Sequence, residues 1–255
     1  MGFLPQSDGK FSGLLQGNLG VSLYKNTSVA ASIHSRWPIT LELSLIALII
    51  SQLIALPIGA FSALRQDTLA DYAARSFAIF CIAVPGFWLG TMLLVFPSIW
   101  WGYMPPIMHV RFVEDPIANL QMFILPSLVL GMLISGGTMR MTRTIMLEVL
   151  RQDYIRTAWS KGFKERTVVM RHALRNAIIP VITVVGLQVP TLIGGSVVIE
   201  EIFALPGMGR LVLQSALRRD YPLVSGVMIF FVISTMVINL IVDLLYGFLD
   251  PRIRY

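Results

Sequence analysis

Side chains that ordinarily carry chemistry are few in this 255-residue chain, and they do not converge. Three histidines, His34, His109 and His172, fall in three separate segments. They lack the i, i+4 spacing that places two imidazoles on one helical face around zinc. The single cysteine, Cys81, lies inside an apolar run, which excludes an internal disulfide framework and a thiolate metal centre. No serine occupies a Gly-x-Ser-x-Gly turn, and no Gly-rich phosphate loop of the Walker type occurs. The reading is of a chain with no catalytic residue, no metal and no cofactor, so any nucleotide hydrolysis belongs to another polypeptide. What is concentrated instead is positive charge. Arg140, Arg143, Arg151, Arg156, Lys161, Lys164, Arg166, Arg171 and Arg175 crowd one stretch between two apolar segments.

The elements that must position this stretch follow from composition. Hydrophobic residues make up 55% of the chain and charged residues 13%, with mean hydropathy +0.73. A soluble domain carries roughly 25% charged residues. Too little polar surface is present to solvate a globule, so lipid is the expected solvent and partner. The net charge of +6 could suggest nucleic acid, but the charges sit between apolar runs, as membrane topology requires. Nucleic acid is therefore not expected.

A spanning helix needs about 20 mostly apolar residues. Five stretches qualify: Thr40–Leu64, Ser76–Trp101, Leu120–Met139, Ile178–Ile199 and Val224–Leu249. The fold class expected is all-α, a polytopic transmembrane bundle. Pro57, Pro85, Pro97, Pro126 and Pro190 fall within the spans and read as kinks, because neighbouring helices can satisfy the freed carbonyls. Gly131, Ser135, Gly136, Gly137, Gly194, Gly195 and Ser196 are small enough to let helices approach closely.

Lysines and arginines divide into a larger set, at 65–75, 140–175 and 252–254, and a smaller one, at 10–36, 111 and 210–219. The richer side is expected to be cytoplasmic. That puts the C-terminus inside and, with five spans, the N-terminus outside. One membrane domain, 40–255, follows an outer N-terminal segment, 1–39. Residues 1–38 hold no apolar signal-peptide core, so a further spanning helix is expected to precede Met1.

The basic stretch, about Arg140 to Ala177, has an internal order. Asp153–Lys161 can form a short helix, Gly162 can make a sharp turn, and Lys164–Ala173 can form a second helix. In position and pattern it resembles the EAA loop of the permease subunits of binding-protein-dependent ABC importers. Aligned on Gly162, the first triplet of that signature is Arg156-Thr157-Ala158 and the last quartet His172-Ala173-Leu174-Arg175. Ala158, Gly162 and Leu174 match, whereas the signature's Glu, first Ala, Ile and Pro do not. The form present is similar to that of the dipeptide, oligopeptide and nickel permease group. The resemblance continues through Glu200, Phe203–Arg210, Asp220-Tyr221-Pro222, and Asn239 to Asp250-Pro251-Arg252.

The resemblance implies a MetI-like ABC importer permease fold and a mechanical role. Substrate delivered by an external binding protein would cross this chain and a second permease subunit, driven by two cytoplasmic ABC ATPase subunits. The loop would act as coupling element through Arg156, Thr157, Ala158, Gly162, His172, Leu174 and Arg175. Gly162 would supply its corner, and Ala158 would permit close approach. Di- or oligopeptides are the expected cargo, with nickel or a nickel chelate as the alternative. A self-contained secondary transporter would show more intramembrane ionisable groups. Gln52, Thr91, Gln188 and Asn239 are candidate pore-lining groups by their polarity within spans. Asp243, near the inner end of the last span, is expected to pair with an arginine. Glu42 is read as solvated at the outer interface. Glu200 and Glu201, with the Pro206–Arg210 turn, are expected to shape the outer mouth.

Overall fold

The computed structural model describes residues 17–103 and 110–249. The first sixteen residues of the expected outer segment, His109 and the Asp250–Arg252 motif lie outside the described residues. In hydrocarbon every backbone N–H and C=O must find its partner inside the protein, and a helix does this within one segment. The described residues accordingly form helices joined by short turns, with one isolated bridge between Val21 and Ser28.

The first helix, α1, runs Val29–Leu64 and so begins ahead of the expected Thr40. Val29 and Ile33, four residues apart, lie on one face and are buried in a cluster with Met208, Leu211, Leu223 and Val227. His34 and Ser35 point outward, which made this turn read as loop. Pro38 and Pro57 are both accommodated inside the helix.

The expected span Ser76–Trp101, with Pro85 as a kink inside it, is corrected by the structure. Two helices, α2 (Leu69–Ala83) and α3 (Gly86–Trp101), meet at a bend of 97°. Val84 and Pro85 both have extended backbone there, with ψ of 126° and 129°. A proline ring disfavours helical geometry in the residue before it, so Pro85 ends one helix instead of kinking it. The other four expected prolines do lie within helices.

Helix α4, Pro116–Leu150, opens with Asp115 accepting hydrogen bonds from the N–H groups of Ile117 (3.0 Å) and Ala118 (3.1 Å). Pro116 stands at the first turn, where no donor is needed. The helix continues well past Met139, so the first part of the basic stretch is helix and not loop. A short helix, α5 (Asp153–Ser160), then leads to a single turn, α6 (Glu165–Thr167). A π-helical segment, Val168–Ala173, runs on into α7 (Leu174–Ile202). The last two helices are α8 (Met208–Leu217) and α9 (Tyr221–Leu249). Among the described residues four helices are long and apolar enough to cross a bilayer, and five spans result if the bent α2–α3 pair counts as one.

Packing centres on α4. Leu43 and Ala47 of α1, Phe123, Val129 and Leu130 of α4, and Leu192 and Ile199 of α7 share one buried cluster. Close approach depends on particular glycines. A Cβ on Gly131 would lie 2.8 Å from the Ala47 carbonyl oxygen, and one on Gly59 2.7 Å from that of Met139. One on Gly136 would lie 2.5 Å from the carbonyl oxygen of Ala78 on α2. Of the other small residues singled out, Ser135 and Ser196 are buried, whereas Gly137, Gly194 and Gly195 face open space.

One end of the bundle is fastened by an ion pair. Arg143 of α4 donates from Nε to Asp71 Oδ1 (2.9 Å) and from Nη2 to Oδ2 (2.8 Å). Ser62 Oγ donates to Oδ1 (2.5 Å) and the Asp67 N–H to Oδ2 (3.0 Å). Asp71 is fully buried, and its partner's side chain is 19% exposed. This fork-on-carboxylate geometry ties α1, α2 and α4 at one level. The pairing expected of Asp243 is not found: it lies on an exposed face of α9 and makes no ion pair among the described residues.

Two results follow for thermal unfolding in detergent. Gly136→Ala should destabilise by about 1–3 kcal/mol, because α2 and α4 must separate. Its neighbour Gly137→Ala should be neutral or stabilising by up to about 1 kcal/mol, through helix propensity alone; equal effects at the two sites would contradict the packing described. Arg143→Gln should cost about 3–5 kcal/mol by leaving a buried carboxylate without its counter-charge. Asp71→Asn should cost less, since the guanidinium it releases can reach water. The reverse order would count against the clamp.

Candidate coupling site

The basic stretch folds into a hairpin whose inner face is apolar. Ile155 and Ala158, three residues apart on α5, are buried with Val168, Val169 and Ala173 of the return limb. Ala63 of α1 and Ile145 and Met146 of α4 join the same cluster. The short helix is therefore held on the ends of the long ones and does not hang free. Its charges contribute little to this: the Asp153–Arg156 pair is 3.8 Å apart and largely exposed.

The corner at Gly162 has a specific geometry. Its φ is +76°, in the left-handed region that costs a residue with a Cβ about 1–2 kcal/mol. The Gly162 N–H donates to the Trp159 carbonyl (2.9 Å) and the Phe163 N–H to that of Ala158 (3.4 Å). These are the two bonds of a Schellman motif, which satisfy carbonyls left over at a helix end. No atom lies within 4 Å of where a Cβ on Gly162 would be, so the requirement is conformational and not one of space.

The return limb is tied to α5 by polar contacts. Asn176 Nδ2 donates to the Tyr154 hydroxyl (2.9 Å) and to the His172 carbonyl (2.9 Å). The rings of Phe163 and His172 stack at a tilt, 5.9 Å between centroids. The second helix expected at Lys164–Ala173 does not stand alone; it is the first part of a continuous path into α7.

Of the residues singled out in the sequence, Arg156, Thr157 and Gly162 lie exposed at the tip. Ala158 points inward, so the close approach it permits is to this chain's own helices. His172 and Leu174 are half-buried on the return limb, and Arg175 is exposed at the start of α7. The sequence reading missed the outward aromatic side chains Tyr154, Trp159 and Phe163, each more than two-fifths exposed. Their signal was available in part: Tyr154 and Trp159 flank Ile155 and Ala158 on α5, and Phe163 follows the Gly162 corner.

A second polar centre lies at the far end of α7. The buried carboxylate of Glu200 accepts from the Thr40 hydroxyl (2.7 Å), the Ser196 hydroxyl (3.0 Å) and the Arg210 N–H (3.0 Å). Thr40 Oγ1 in turn accepts from the Met208 N–H (2.8 Å). Between them these groups satisfy donors at the start of α8. Ala204, at φ +54°, ends α7, with the Leu205 N–H donating to the Glu200 carbonyl (2.8 Å). Glu201 pairs with Arg210 at 3.2 Å. A neighbouring arm is fastened by Asp220, which accepts from the Ser22 hydroxyl (2.5 Å) and the Leu23 N–H (3.3 Å). Burial alone would raise the Asp220 carboxyl, but these hydrogen bonds outweigh it and hold the group below its ordinary range.

The four pore candidates separate. Gln188 exchanges hydrogen bonds with Thr138 of α4, at 3.0 and 3.3 Å, and so joins α4 to α7. Thr91 donates to the Phe87 carbonyl of its own helix (2.8 Å). Gln52 touches Ser51 at 3.5 Å and keeps its buried Oε1 without a partner. Asn239 is half-buried on α9. Among the described residues no three His, Cys, Asp or Glu side chains come together as a metal site.

Comparison with known proteins fits this architecture. The family model described as "Binding-protein-dependent transport system inner membrane component" matches residues 55–255. A putative peptide transport system permease protein of Brucella abortus is 43% identical over 238 residues, spanning 93% of this chain and 76% of its own length. An oligopeptide transport system permease protein of Bacillus subtilis is 42% identical, over 95% of this chain and 78% of its own. A dipeptide transport system permease protein of Escherichia coli is 37% identical over the same shares. Among solved structures, an inward-facing MetNI methionine ABC transporter superposes with a TM-score of 0.69 at 15% identity. The match covers 86% of this chain and 96% of that one. An amino acid ABC transporter gives 0.64 at 15% identity, covering 85% and 94%. These two likenesses concern the fold, which is the MetI-like permease fold expected. With most of its length matched by the family model, and with relatives well above 30% identity, the chain belongs to the inner-membrane components of binding-protein-dependent transport systems.

Proposed function

We propose that this chain is a peptide-translocating permease subunit and that the hairpin centred on Gly162 receives force from a cytoplasmic ATPase. It works with a second permease subunit, two ABC ATPase subunits and an extracytoplasmic binding protein that delivers the cargo. The names of the relatives favour di- or oligopeptides over a nickel chelate. The observation that carries the coupling role is the shared apolar cluster beneath the hairpin. It includes residues of α1, α4, α5 and α7, so displacement of the tip is passed to several long helices at once. Exposed Tyr154, Trp159 and Phe163 offer a surface that could fill a groove, ringed by Arg156, Lys161 and Lys164. The density of positive charge supports a cytoplasmic location for this end and for the C-terminus. The Glu200 and Asp220 centres then lie on the outer side, where a binding protein would dock.

Gly162→Val tests the coupling. The added side chain meets open space, so the chain should insert and fold, while the Schellman corner is strained by about 1–2 kcal/mol or more. In a reconstituted transporter, peptide uptake should fall at least about ten-fold, with basal ATP hydrolysis retained. Full uptake would sink the reading. Sidedness is checked with Lys161→Cys in intact cells: it should react with an impermeant maleimide only after the membrane is opened.

A further inference from the structure

Beside the Asp71–Arg143 clamp lies a shallow, open cleft that the coupling role does not use. Its floor is Ile58, Gly59 and Ala78, and its rim carries three arginines, Arg75, Arg140 and Arg143. Only the last has its charge matched, by Asp71. Arg75 and Arg140 are exposed and make no ion pair among the described residues. Arg75 sits over the ring of Tyr72, 5.4 Å from its centroid, which holds the guanidinium at the mouth of the cleft. Asp67, the other acid within electrostatic reach of Arg143, is exposed on the α1–α2 turn and does not line the cleft.

We propose that this cleft binds the phosphate headgroup of an anionic phospholipid through Arg75 and Arg140. The face of α2 supplies the rest of the amphiphile's contact. Tyr72, Arg75, Ile79 and Ile82 recur at helical spacing, and all four are exposed. An aromatic ring and a cation are followed, one and two turns deeper into the span, by two aliphatic side chains at 59% and 48% exposure. A free anion would use the charges and leave that stripe bare, whereas a phospholipid uses both. Basic pockets between spanning helices at the cytoplasmic side recognise anionic headgroups in this way. The close approach at Gly59 keeps the floor low: a Cβ there would meet Thr142 Cβ at 2.8 Å. The binding site does not depend on the coupling role proposed above; only its assignment to the cytoplasmic leaflet follows from that sidedness.

Native mass spectrometry of the full chain in neutral detergent, titrated with phosphatidylglycerol or phosphatidylcholine, tests the proposal. Phosphatidylglycerol should be retained preferentially, and Arg75→Gln and Arg140→Gln should each weaken it about five-fold, the double variant about 25-fold. Lys161→Gln with Lys164→Gln, at the hairpin tip, should leave retention unchanged. Equal retention of the two lipids, or an unaltered double variant, would overturn the site. An equal loss on removing the tip lysines would reduce it to nonspecific charge. Competition by inorganic phosphate at the same concentration as the lipid would make it an ion site instead. Because the readout is made in detergent, it stands whichever way the chain faces, and a failure of the Lys161 labelling leaves it intact.

Discussion

Lipid tails are as apolar as leucine, so two spanning helices gain nothing from hiding hydrophobic surface against each other. They associate through close van der Waals contact and polar cross-links. In this chain both resources are spent on α4. Gly59 and Gly131 bring its backbone against that of α1, and Gly136 brings it against α2. Ser127 donates to the Leu43 carbonyl of α1 (3.4 Å), and Thr138 bonds Gln188 of α7. Helices that do not meet α4 in these ways, α9 above all, remain largely exposed along their length. Loss of α4's contacts would leave α1, α2 and α7 joined chiefly by the Ser62–Asp71 and Thr40–Glu200 hydrogen bonds.

The polar cross-links also mark out levels along the bundle. At one end Glu200 gathers Thr40, Ser196 and the start of α8; midway Thr138 and Gln188 pair; at the other end Arg143 clamps Asp71. Burying a charge without a partner is costly, and the three buried carboxylates among the described residues, Asp71, Glu200 and Asp220, are all engaged. Asp71 meets its guanidinium on two bonds. Glu200 is served by hydroxyls and a backbone N–H, and the glycines at 207 and 209 leave room for its oxygens. The two centres thus hold opposite ends of α1 by different chemistry, a counter-charge that ties it to α2 and α4 and a donor cage that ties it to α7 and α8.

Much of this was legible in the sequence. Apolar runs of spanning length, a Pro-tolerant core and the Gly162 corner all follow from residue types and local spacing. What could not be read were consequences that depend on direction or on distant partners. Pro85 was visible, but whether it bends a helix slightly or turns it by 97° depends on Val84 and Pro85 both taking extended backbone. The end of α4 was hidden because charge was taken to mark the end of a span, whereas arginines, methionines and leucines are good helix formers and carried the helix on to Leu150. Asp71 and Arg143 are 72 residues apart, and Thr40 and Glu200 are 160 apart; no local pattern couples them. Ala158 shows the same limit within the site. Its place in the motif was clear, but its inward orientation is set by Val168 and Val169 across the turn.

Under the proposed coupling role, the two limbs of the hairpin would transmit force differently. The α4 limb reaches α5 through a tight turn at Arg151–Gln152, where the Gln152 N–H donates to the Val149 carbonyl (3.1 Å). The return limb has no such break, passing from α6 through the π-helical Val168–Ala173 into α7. A π-helical turn is wider than an α turn and leaves the ladder locally irregular, which makes it the natural place for a register change. Its residues Val168, Val169 and Ala173 are also the inner wall against which Ile155 and Ala158 pack. A push on the tip therefore bears first on the least regular turn of the path into α7, while the Arg143–Asp71 clamp resists motion of α4. The asymmetry argues that α7 is the helix that moves and α4 the frame it moves against.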